Sequence, residues 1–167
     1  FPVDSVYGLH NWPGMPAGVF GVVSGPIMAA ADSFDLTING RGGHAAMPDQ
    51  CIDPIVIASQ VVTALQTIAS RNTHPVDSVV ISVTQIHAGD AYNVIPDSVR
   101  MHGTVRTFQP DTRKKIPSSM LRLTEGVCSA YGATCELNYI LGYPATINSV
   151  TETEISAKAV VDLLGED

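Results

Sequence analysis

The chain has 167 residues, 45% of them apolar and only 15% charged, enough for a proper core in one domain or at most two. Its net charge is −7, from 9 Lys+Arg against 16 Asp+Glu, which argues against nucleic acid and anionic membranes as partners, since both need a basic face. No apolar run approaches the ~18 residues of a transmembrane helix. The three cysteines, Cys51, Cys128 and Cys135, are odd in number and lack C-x-x-C spacing. They read as reduced thiols of a cytoplasmic protein, not as a disulfide framework or a thiolate metal site.

The start, Phe1-Pro2-Val3-Asp4, has neither a basic region nor an initiating Met, and reads as the middle of a longer protein rather than a signal peptide. Residues 6–10 and 19–24 are short apolar runs that predict two strands. Between them Asn11-Trp12-Pro13-Gly14-Met15-Pro16 can be neither helix nor central strand. The pattern then becomes regular. Phe34, Leu36 and Ile38 alternate with Asp35, Thr37 and Asn39, the mark of a strand with one buried face. Gly40-Arg41-Gly42-Gly43-His44-Ala45-Ala46-Met47-Pro48 follows. Its glycines supply backbone freedom and its alanines little steric cover, so the loop should present the imidazole of His44. No Lys-Ser or Lys-Thr follows, which argues against a phosphate cradle.

Asp53-Pro54 opens a helix to about residue 70, with Asp53 as N-cap and Ile57, Val61, Ala64, Leu65 and Ile68 on one face. Strands are predicted over 79–87 and 99–108, joined through a turn at Ala88-Gly89-Asp90. A second helix spans 110–132, with a distortion expected at Pro117. A strand follows over 134–141, and a last helix over 152–164. From residue 34 to 141 the order is β-α-β-β-α-β. That order predicts an α+β, ferredoxin-like sandwich: a four-stranded antiparallel sheet with both helices on one face. Its first and last strands should be antiparallel neighbours, so the unit can be inserted into another domain through adjacent linkers. We expect that unit over 32–142, with 1–31 and 143–167 as stumps of the other domain.

Candidate functional residues are few. His10 follows a predicted strand, where an α/β domain places ligands, but no second metal ligand lies at usable spacing. Arg106 sits on a strand rich in Val, Thr and Met, and its fork suits a carboxylate that Asn93 could hold beside it. A solvated arginine and a turn asparagine are the plainer alternative. His74, His87 and His102 read as surface or structural residues.

Gly8-Leu9-His10, the Gly40–Pro48 loop, Ile52-Asp53-Pro54, Val83-Thr84-Gln85-Ile86, Ala91-Tyr92-Asn93-Val94-Ile95-Pro96 and Gly103-Thr104-Val105-Arg106-Thr107-Phe108 stand in register. Together they resemble the aminoacylase-type metallopeptidase superfamily, in its hippurate hydrolase and indole-acetyl-amino-acid amidohydrolase branch. The resemblance implies a two-metal catalytic domain, with zinc, manganese or similar ions, carrying an inserted lid that also forms a homodimer. It implies that His10 is a metal ligand and that His44 steadies the oxyanion in the partner subunit's site. It implies that Asn93 and Arg106 hold the carboxylate end of an N-acyl amino acid. The other metal ligands and the acidic pair of that family are missing, so the chain alone is expected to be inactive. The alternative is a stand-alone ferredoxin-like module that binds a small regulatory ligand. RNA binding would want a basic, aromatic sheet, which this composition lacks.

Overall fold

The computed structural model describes residues 2–165. In chain order the elements are β1 (Gly25–Met28), β2 (Ala30–Asn39), β3 (Gly43–His44), α1 (Pro54–Arg71), β4 (Val79–His87), β5 (Val94–Ile95), β6 (Ser98–Thr107), α2 (Pro110–Ala130), β7 (Thr134–Tyr143), β8 (Thr146–Asn148) and α3 (Val150–Leu164). The chain divides into two compact units. One contains the described residues up to Met28 and those from Thr146 onward; the other is Ala29–Ala145.

The larger unit is the expected β-α-β-β-α-β sandwich. Its sheet has the order β4-β6-β2-β7, with every neighbouring pair antiparallel. Strand β2 alternates strictly: Ala30, Asp32, Phe34, Leu36 and Ile38 are buried, and the residues between them are not. The buried face meets Ile57, Val61, Leu65 and Ile68 of α1 and Ile116, Met120 and Cys128 of α2. Asp53 caps α1 as expected, accepting the Ile55 N–H at 2.9 Å, with Pro54 in the first turn. Helix α2 runs unbroken through Pro117, so the missing N–H costs one hydrogen bond and not the helix.

Strands β2 and β7 extend further than their apolar runs suggest. β2 begins at Ala30, four residues before Phe34, and carries the charged Asp32 on its buried face. The side chain of Asp32 is 0% exposed. It accepts from Arg113 Nε at 2.9 Å and Nη2 at 2.6 Å, from the Tyr139 hydroxyl at 3.0 Å and from the Gly142 N–H at 2.9 Å. Opposite it the β2–β7 register slips between Ala31 and Ser33, and the carboxylate takes the Gly142 N–H that the slipped ladder leaves over. The first turn of α2 and the end of β7 are thereby fastened to the start of β2.

The smaller unit corrects one expectation. Residues 6–10 and 19–24 are not strands, and Leu9 and Val6 are 84% and 83% exposed. A strand exists only where a ladder partner satisfies its backbone, and no described residues pair with these runs. The pairing that forms instead is β1 with β8, Gly25 opposite Asn148. Helix α3 follows β8 directly. Among the described residues, no helix is long and apolar enough to cross a membrane.

Candidate active-site corner

The glycine-histidine loop is tied down at almost every residue. Gly40 N–H donates to Asp97 O at 2.8 Å, which prolongs the β2–β6 ladder by one bond. Arg41 and Ile52 exchange two bonds at 2.9 Å each. Gly42 N–H donates to Asp97 Oδ1 at 2.9 Å. Gly43 and His44 then pair with Ile95 and Val94 as a short second ladder, and Ala45 N–H donates to Asn93 O at 3.0 Å. Met47 N–H closes a turn onto His44 O at 2.8 Å.

The glycines therefore serve close approach, not conformational freedom. None of Gly40, Gly42 and Gly43 has a positive φ. A Cβ on Gly40 would stand 2.2 Å from Ile52 O, and one on Gly42 would stand 2.4 Å from Ile95 O. Two backbones lie against the loop too tightly for any side chain. The backbone freedom expected of these glycines gives way to close packing, and the loop that presents His44 is fixed by hydrogen bonds.

The ring of His44 is exposed, as expected. Its Nδ1 accepts the Ala46 N–H at 3.1 Å. A backbone amide can only donate, so in the neutral ring the proton sits on Nε2. The loop thus holds out an Nε2–H donor. Asn93 is exposed in the turn that leads into the facing strand, one residue before Val94, the ladder partner of His44. The fold brings these two candidates together.

Arg106 stands elsewhere. It lies near the far end of the 10-residue β6, opposite Ala31 of β2 and Val80 of β4. At about 3.3 Å per residue, roughly 25 Å of strand separates it from the start of β6, where the His44 corner is attached. Its guanidinium Nη1 donates to Val105 O at 3.1 Å and to the Thr104 hydroxyl. His10 lies in the smaller unit, exposed, with its ring centroid 6.1 Å from that of Trp12. Among the described residues no three His, Cys, Asp or Glu side chains converge on a metal-sized site.

The sequence reading missed two polar clusters. The first is the Asp32 clamp. Burial pushes the Asp32 carboxyl up, but Arg113, the Gly142 N–H and Tyr139 together bring it below the ordinary aspartate value. Burial and the Asp32 charge raise the Tyr139 hydroxyl in turn. The second lies on the sheet face away from the helices. There His102 Nδ1 and Asp35 Oδ1 are 2.6 Å apart, and Asn138 donates to Asp35 Oδ2 at 3.2 Å. The His102 bond holds the Asp35 carboxyl below its usual range. The sequence signal for the clamp was an Asp at the parity of Phe34, Leu36 and Ile38.

Residues 30–128 match the family model of the M20 peptidase dimerisation domain. The chain belongs to that family. It is 48% identical over 146 residues to an N-acyl-L-amino acid amidohydrolase of Geobacillus stearothermophilus, a match covering 87% of this chain and 40% of that protein. It is 41% identical over 161 residues to an N-acetylcysteine deacetylase of Bacillus subtilis, covering 96% of this chain and 42% of that protein. The crystal structure of a dinuclear metal-binding M20-family peptidase of Bacillus subtilis superposes with a TM-score of 0.70 at 36% identity, covering 92% of this chain and 37% of that one. The chain thus spans about two-fifths of the length of each of these proteins.

Proposed function

We propose that this chain is the lid and dimerisation portion of a cytoplasmic, metal-dependent amidohydrolase that cleaves the amide bond of N-acyl amino acids, hippurate-like substrates included. In this reading residues 1–31 and 143–167 belong to the catalytic domain. The observation that carries it is the His44 corner: an exposed imidazole whose Nδ1 is occupied by the Ala46 N–H, leaving Nε2–H as a fixed outward donor. Such a donor suits the oxygen that becomes negative as an amide carbonyl is attacked, an interaction worth about 2.7–4 kcal/mol. Asn93, in the turn before the facing strand, and Arg106 take the carboxylate end of the substrate, the arginine by its fork.

Arg106 stands near one end of the main sheet and His44 beyond the other, so one substrate cannot touch both within a single copy. A homodimer resolves this: one subunit supplies His44 and Asn93 to a site that uses the other subunit's Arg106. Two divalent metals, zinc, manganese or similar, would supply Lewis-acid activation of the carbonyl and the water. His10 is the one residue of this chain assigned to hold them, completing a set of ligands contributed by other segments. The chain alone is inactive in this reading, and metal-dependent hippurate hydrolysis by it alone would overturn that part.

The test uses the intact enzyme. His44→Ala lowers turnover by roughly 10²–10³-fold with metal content and folding unchanged. Mixed dimers of His44→Ala with His10→Ala regain part of the activity, because one of their two sites has its own metals and the partner's imidazole. Wild-type turnover in His44→Ala sinks the assignment. A collapse without recovery in mixed dimers places His44 in its own subunit's site.

A further inference from the structure

The His44 corner is not an extension of the main sheet. The long β2–β6 ladder ends with Asn39 opposite Ser98, and the short β3–β5 ladder begins with Gly43 opposite Ile95. Pro96 lies between the two ladders on one side and Gly40, Arg41 and Gly42 on the other. Asp97 spans the break. Its carbonyl takes the Gly40 N–H at 2.8 Å, the last bond of the long ladder. Its Oδ1 takes the Gly42 N–H at 2.9 Å, the bond that brings the chain into the short one. A side chain does here what a main-chain carbonyl does within a strand. The two bonds are nearly equal in length, and the one to the carboxylate is charge-assisted.

We propose that Asp97 is a positioning residue for His44: its carboxylate splints the two ladders at Gly42 and so sets where the imidazole is presented relative to Asn93. This rests on the reading of His44 as a donor to the reacting carbonyl. Without Oδ1, Gly42 and the residues that follow it lose a tie to the segment running through Ile95, Pro96 and Asp97. Asn93 keeps its covalent path along that segment into β6. The displacement therefore falls on His44 and largely spares Asn93. A group that acts in the transition state and is shifted by about 1 Å costs roughly 10²-fold in rate. The loss should fall on kcat, with KM nearly constant.

The first arm is amide hydrogen exchange on this chain. In the wild type the Gly42 amide is protected, although its only acceptor is a side chain. Asp97→Ala speeds Gly42 and Ala45 exchange about ten-fold or more and leaves Phe34 and Leu36 unchanged. Asp97→Asn, which keeps a side-chain carbonyl at the same place, retains most of the protection. The second arm is steady-state kinetics on the intact, metal-loaded enzyme. Asp97→Ala lowers kcat by roughly 10²-fold with KM within about three-fold, and Asp97→Asn restores most of the loss. An unprotected Gly42 in the wild type overturns the proposal, and this outcome needs no variant to fold. So does Asp97→Ala with unchanged kcat, or Asp97→Asn as damaged as Asp97→Ala. If His44→Ala leaves turnover intact, the catalytic reading of His44 fails instead, while the exchange arm still decides the splint.

Discussion

Asp32→Asn isolates the charge in the clamp with almost no change of volume. The aspartate is fully buried and accepts four hydrogen bonds, two of them from Arg113. An asparagine in its place offers one acceptor oxygen and turns an NH₂ toward Arg113, which can only donate, together with either the Gly142 N–H or the Tyr139 hydroxyl, and only the hydroxyl can accept in return. Removing one partner of a buried ion pair costs about 3–5 kcal/mol. Arg113 is 18% exposed and keeps the Gly142 carbonyl at 2.9 Å, so the lower end applies, about 3 kcal/mol. For a chain of this length that lowers the melting temperature by about 6–12 °C. The assay must report on the larger unit. Trp12, the single tryptophan, lies in the other one, so far-ultraviolet circular dichroism with exchange at Phe34 replaces tryptophan fluorescence. The pH dependence gives a second reading. The folded carboxyl titrates below its ordinary value of 3.8, so the contribution of Asp32 is complete above that value and is lost as pH falls through the lower, folded one. The variant has no such carboxyl, and its stability falls less steeply in acid. A loss under about 1 kcal/mol, or an unaltered acid slope, would refute the account of the clamp.

Arg106→Lys in the intact enzyme raises KM about ten-fold and changes kcat little, because an ammonium cannot reproduce the guanidinium fork. An unchanged KM removes Arg106 from the substrate site. Burial, and then the neighbouring Cys135, pushes the Cys128 thiol up to about 12. Cys128 therefore resists a thiol-directed reagent until the larger unit opens, whereas Cys51, half-buried beside Gly43, reacts in the native protein. Peptide mapping by mass spectrometry follows both, and equal labelling rates would contradict the burial argument.

What could be read in advance follows from what a linear pattern encodes. Alternation at Phe34, Leu36 and Ile38 and the helical spacing of Ile57, Val61, Leu65 and Ile68 predicted the core correctly, because burial of one face is what those periods express. The cap at Asp53 was legible for the same local reason. The runs at 6–10 and 19–24 misled because an apolar run states a preference and a strand requires a partner. Asp32 hid the true start of β2: a charge at a buried position looks like a strand end until Arg113 and Tyr139 are found beside it. They lie 81 and 107 residues away in sequence. The exposure of His44 was legible from its glycine and alanine neighbours. The reason for the glycines was not, since the carbonyls of Ile52 and Ile95 that exclude a Cβ come from outside the loop.

The rigidity of the corner bears on where motion can reside in the proposed reaction. β2 runs from Ala30, beside the Asp32 clamp, to Asn39, where the His44 loop begins. Both ends are fastened, one by the buried ion pair and the other by the Asp97 bonds to Gly40 and Gly42. Between them β2 is hydrogen-bonded along almost its whole length to β6 on one side and β7 on the other. Such a body does not bend to deliver an imidazole; it turns as a whole. A rotation of about 10° about its clamped end carries the tip of a 10-residue strand by roughly 5 Å, more than a hydrogen bond's tolerance. If the unit closes as the proposed lid, the motion would have to come from the chain on either side of Ala29–Ala145, and not from the glycines next to the histidine. In the proposed reaction any slack in the glycine loop would add to the swing of the whole body, and the bonds from Asp97 to Gly40 and Gly42 oppose that slack.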